Sequence, residues 1–107
     1  MPFELTELNL KIEKAKQHIL SLEPDYDGEG TPAFDTLTVN RAIAFLKKLA
    51  FNLFRLTQTI LISPKILPGP EGSIDICWRT SEFQLLINFP ADATEPATYY
   101  GNDYGVN

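Results

Sequence analysis

The sequence predicts an α+β fold: two N-terminal helices packed on a C-terminal antiparallel β-meander of about three strands. Three observations lead there. Apolar residues recur every three or four positions along two long stretches of the first half. They alternate with polar residues in two short stretches of the second half. Segments rich in Pro and Gly separate these stretches. Helices first and a strand meander after make a two-layer arrangement. With 107 residues and 44% hydrophobic content, the chain 1–107 reads as one domain with enough apolar side chains for its own core.

The first helix is expected over about 3–22. Leu5, Leu8, Ile12, Ala15, Ile19 and Leu22 fall at spacings of 3, 4, 3, 4, 3 and form one stripe. Pro24 stops it, because the residue before a proline avoids helical angles. Residues 23–35 carry two Gly and two Pro and form a loop. Asp35 or Thr36 caps a second helix over about 36–59. Its stripe is Val39, Ala42, Leu46, Leu49, Leu53, Leu56 and Ile60, and Ile43, Phe45, Ala50, Phe51 and Phe54 widen it into a central, broadly covered helix. Lys47, Lys48 and Arg55 interrupt the run and argue against a membrane span. The stretch 63–72 is a Pro/Gly connection. Strands follow at about 73–79, with Ile74, Ile76 and Trp78 on one face, and 83–89, with Phe83, Leu85, Ile87 and Phe89 together. Thr80–Glu82 is their hairpin loop, and 97–100 forms a short third strand.

Composition narrows the chemistry. One Cys cannot form an internal disulfide, and one Cys with one His cannot build a zinc cage. No charged-then-apolar leader opens the chain, so the cytoplasm is the expected compartment. The net charge of −5 is distributed in blocks. Residues 23–35 hold five acids and no base, whereas 36–65 hold five bases and no acid. The simplest expectation is that these blocks partly neutralise each other.

Several residues could carry function. Asp25, Asp27 and Glu29 occupy positions 1, 3 and 5 of a calcium-loop register, with Gly30 at position 6. Position 12, which needs a bidentate Glu, is Thr36, so the pattern breaks there. An ordinary acidic turn at Asp27–Gly28 explains the same residues. Arg41, Lys48 and Arg55 are seven apart and align on one helix face, where they could track phosphates. The acidic net charge makes a nucleic-acid partner the weaker expectation. Tyr99, Tyr100 and Tyr104 form an aromatic cluster suited to a protein interface. His18 has no nucleophile motif beside it, Cys77 reads as a structural thiol, and Pro68-Gly69-Pro70 lacks the backbone donors of a phosphate cradle.

Asp27-Gly28-Glu29-Gly30, followed by a helix carrying Ala42, Phe45 and Leu46 and later by Gly72-x-Ile74-x-x-x-Trp78, resembles a group of small bacterial proteins. Those proteins share a D-G-x-G turn and a later G-x-I-x-x-x-W strand. The resemblance spans roughly residues 23–100, and Tyr26 stands where the pattern often has Trp. Its motifs are turn and core residues, so it implies a fold and an accessory-gene setting. It carries no catalytic residue over.

Together these features lead to an expectation of a non-catalytic protein-binding or regulatory module, with no cofactor and with another protein, or a second copy, as partner. A metal-dependent function of Asp25, Asp27 and Glu29 is the first alternative. Nucleic-acid binding through Arg41, Lys48 and Arg55 is the second.

Overall fold

The computed structural model of the chain describes residues 3–24, 28 and 34–103. Two helices precede a four-stranded sheet: α1 (Phe3–Leu20), α2 (Thr36–Thr57), β1 (Lys65–Pro68), β2 (Ile74–Arg79), β3 (Gln84–Phe89) and β4 (Thr98–Asn102). The sheet is an antiparallel meander in the order β1-β2-β3-β4. The expected α+β class and helix-then-meander order hold, with four strands rather than three.

β1 is the strand that the sequence reading placed in a connection. It is four residues long, lies beside Pro64 and ends at Pro68. Proline lacks the N–H that a ladder needs, so it is tolerated only at such an edge. A short 3₁₀ turn, Pro70–Gly72, then joins β1 to β2, with Glu71 and Gly72 both at positive φ. Gly69 is required close by. A β-carbon there would collide with the Ser73 hydroxyl and crowd the Asp75 carboxylate.

Both helices end two residues earlier than expected. After Leu20 the chain closes with one tight turn, Leu22 N–H donating to the Ile19 carbonyl at 3.2 Å. α2 begins at the expected cap, where the Asp35 side chain accepts from Leu37 N–H at 2.9 Å. Phe34 and Val39, at the positions of a hydrophobic staple, are both buried. α2 stops where Gln58 turns left-handed and returns its N–H to the Phe54 carbonyl.

The core is one cluster drawn from both helices and the sheet. Leu8, Ile12 and Ile19 come from α1, Val39, Ala42, Ile43, Leu46 and Ala50 from α2, and Ile74, Ile76, Trp78 and Phe89 from the strands. Trp78 is fixed further by its indole N–H, which donates to the Ile62 carbonyl at 2.7 Å. The expected stripe of α2 is followed only part of the way. Val39, Ala42 and Leu46 are fully buried, but Leu56 is 70% exposed. A seven-residue spacing drifts by about 20° per heptad around a straight helix. Leu56 has therefore rotated off the buried side, and Ala50 and the half-buried Phe54 replace it there. Phe45 and Phe51, expected to widen the core, are exposed instead.

Among the described residues, an ion pair links the two helices: Lys47 on α2 donates to Glu13 on α1. That hydrogen bond, and the charge behind it, hold the Glu13 carboxyl below its ordinary value of 4.5. A carboxyl lowered in this way contributes stability that is present above the unfolded value and lost as pH falls through the folded one. Both side chains are well exposed, so the contribution is small. The expected result is a modest melting-temperature advantage over Glu13→Gln at neutral pH that closes as the solution is acidified below 4.5. Thermal melts of the two proteins across that range check it.

Candidate functional site

In the described sheet, residues opposite each other share a face. Ile66, Ile76 and Ile87 are in register, as are Trp78, Leu85 and Gly101, and this side faces the helices. Lys65, Cys77, Leu86 and Tyr100 line up on the opposite side. Tyr99 pairs with Ile87 on the helix side, whereas Tyr100 pairs with Leu86 on the other. Successive strand residues point to opposite faces, so the two tyrosines do not form the single patch expected from their adjacency. Each is exposed, at 80% and 57%. Tyr104 lies outside the described residues.

Asp25, Asp27 and Glu29 also lie outside the described residues. Gly28 between them has φ of 76°, the left-handed conformation a tight turn needs. Among the described residues, no group of three His, Cys, Asp or Glu side chains could hold a metal ion. One acidic side chain, Asp75, takes part in a polar cluster at the end of β2 and β3. Asn88 Nδ2 donates to it at 2.7 Å and to the Ser73 hydroxyl at 2.9 Å, while that hydroxyl donates to the Pro70 carbonyl at 2.7 Å. This cluster pins the turn at Gly69 onto the sheet. His18 is exposed on α1, and the half-buried Cys77 sits on β2, so they lie on different elements.

Arg41, Lys48 and Arg55 do share one face of α2. The structure adds Leu37, Ala44 and Phe51, of which only Phe51 was expected elsewhere, on the widened apolar surface. Leu37, Arg41, Ala44, Lys48, Phe51 and Arg55 follow one another at spacings of 4, 3, 4, 3, 4, and none of the six is buried. They lie opposite the buried side of the helix, defined by Val39, Ala42 and Leu46. Leu37 is 72% and Phe51 54% exposed. Arg41 stands at the sheet-side margin, its guanidinium 5.7 Å from the centre of the Phe89 ring. Phe45 packs on the same ring at 5.5 Å. One terminal nitrogen of Arg41 is buried there without a hydrogen-bond partner. None of the three cations has an acidic partner among the described residues.

Two hollows flank the uncovered part of the sheet's helix side. A strongly apolar one of about 260 Å³ is lined by Leu49, Leu53, Ile60, Trp78, Phe83 and Leu85, among others. The other, an open one of about 500 Å³, is lined by Phe83, Gln84, Leu85, Gly101, Asn102 and Asp103 at the end of β3 and β4. They meet at Phe83 and Leu85.

No protein-family model matches the chain, and neither does a curated protein or a solved structure. Among the described residues, no helix is long and apolar enough to cross a membrane.

Proposed function

We propose that the chain is a non-catalytic, cytoplasmic protein-binding module that docks an acidic amphipathic helix of its partner along the outer face of α2. One observation carries this reading. An apolar-and-basic stripe with heptad spacing is exposed along α2, and its three cations have no acidic partner among the described residues. Leu37, Ala44 and Phe51 provide apolar contact, and Arg41, Lys48 and Arg55 select a partner with carboxylates at matching spacing. Desolvation on docking strengthens those pairs relative to free surface charges. Apolar residues alternating with the cations suit a helix better than a nucleic-acid backbone.

The test uses a fluorescent helical peptide of three heptads, with leucine at its a and d positions and glutamate at e and g. Anisotropy is expected to show saturable binding that weakens as salt rises, because the Debye length shrinks to about 3 Å at 1 M. A version with lysine replacing glutamate is expected not to bind. Equal binding of both versions contradicts the reading. So does tighter binding of a DNA duplex than of the acidic peptide, which would favour the nucleic-acid alternative.

A further inference from the structure

We infer that β4 is a self-complementary edge through which two copies of this chain pair, strand against strand, around a two-fold axis at Tyr100. This is independent of the α2 surface. The sheet has two edges, and they differ. β1 carries Lys65 and ends in Pro68, the residue types with which proteins blunt an exposed edge. β4 reads Thr98-Tyr99-Tyr100-Gly101-Asn102, with no charge and no proline, and all five residues are exposed. No described strand borders it on the side away from β3. An uncharged edge of this kind, without proline, is a template for another strand.

The sequence of β4 favours a second copy as that strand. In an antiparallel pair centred on Tyr100, Tyr100 faces its own counterpart, Tyr99 faces the partner's Gly101, and Thr98 faces the partner's Asn102. No like charges are brought opposite each other. The large residue of the helix-side row therefore meets the only residue there without a side chain. Tyr99 and Gly101 both lie on the helix side of β4, opposite Ile87 and Leu85 of β3. An open hollow of about 500 Å³, lined by Phe83, Gln84, Leu85, Gly101, Asn102 and Asp103, lies at this end of the β3–β4 pair, beside Gly101, where the partner's Tyr99 ring would lean. An aromatic ring laid across an opposed glycine is a known stabiliser of antiparallel pairs. The same contact is made twice by symmetry, as a closed two-fold interface requires.

The interface is small. Two tyrosines and a five-residue strand per copy fall short of the roughly 1,200–2,000 Å² of a standard stable complex. The association is therefore expected to be reversible and to depend on concentration in the micromolar-to-millimolar range.

Sedimentation velocity of the full chain from about 10 µM to about 1 mM tests it. The wild type is expected to move from a 12.0 kDa monomer towards a species of twice that mass. Tyr99→Lys and Tyr100→Lys are expected to stay monomeric throughout, with unchanged circular dichroism, since both side chains are exposed. Gly101→Leu is expected to weaken the dimer at least tenfold by filling the hollow. It should still fold, because the first carbon of the new side chain meets only Leu85, at 3.7 Å. A wild type that remains monomeric at the highest concentration overturns the proposal. A dimer that persists in both lysine variants overturns it equally and moves the contact to another surface.

Discussion

Leu46→Ala is expected to lower stability by about 3 kcal/mol, whereas Leu56→Ala stays within about 0.5 kcal/mol of the wild type. Both leucines belong to the same stripe of three- and four-residue spacings in the sequence. Leu46 is fully buried between α1 and the sheet, and its truncation leaves a cavity that the surrounding side chains fill only in part. Leu56 is 70% exposed one residue before the end of α2. For a domain whose total stability is roughly 5–15 kcal/mol, the first change removes a large share. The melting temperature should fall by more than about 10 °C. Urea denaturation of the two variants checks the difference. Equal losses would mean that the stripe runs straight along the helix and that the burial assigned to α2 is wrong.

Replacing Arg41, Lys48 and Arg55 together by glutamate is expected to abolish binding of the acidic helical peptide, by at least a hundredfold. Each reversal removes an attraction and adds a repulsion, and desolvated interfacial charge pairs couple by about 1.5 kcal/mol or more. The same variant is expected to gain affinity for the lysine version of the peptide, since electrostatic complementarity sets partner choice. Stability should change little by comparison. Lys48 and Arg55 are exposed and have no described ion pair, while Arg41 loses its contact with the Phe89 ring. Arg41→Glu alone is therefore the one of the three with a stability cost. A peptide that binds the reversed protein as tightly as the wild type contradicts the reading.

The helices were legible in the sequence because apolar spacing fixes which side of a helix is buried. The cap at Asp35 was legible for a similar reason, since a short acidic side chain just before an apolar run satisfies a free N–H. The hairpin was legible from period-two alternation on both of its strands. Thr80 closes the turn by accepting from Glu82 and Phe83 N–H on its hydroxyl. β1 was not legible. Four residues that follow one proline and end in another carry too little alternation, and the strand is defined by its pairing with β2, a contact made at a distance in sequence.

The candidate surface was half legible. The seven-residue spacing of Arg41, Lys48 and Arg55 stands in the sequence. That Leu37 and Phe51 belong with them follows only once Val39, Ala42 and Leu46 are known to be the buried side. The tyrosines show the opposite case. Tyr99 and Tyr100 are neighbours in sequence, yet the pleat of β4 sends them to different faces. Strand periodicity separates them already in the sequence, since 97–100 reads there as a strand.

The central claim is that the outer face of α2 is the docking surface. Backbone amide shifts of the isotopically labelled protein, followed while the acidic helical peptide is titrated in, test it most directly. The account predicts that the largest shifts trace α2 from Leu37 to Arg55, extend to Phe89 beneath Arg41, and leave the strand pair β1 and β2 nearly unmoved. Shifts concentrated on the sheet, with α2 silent, would contradict it.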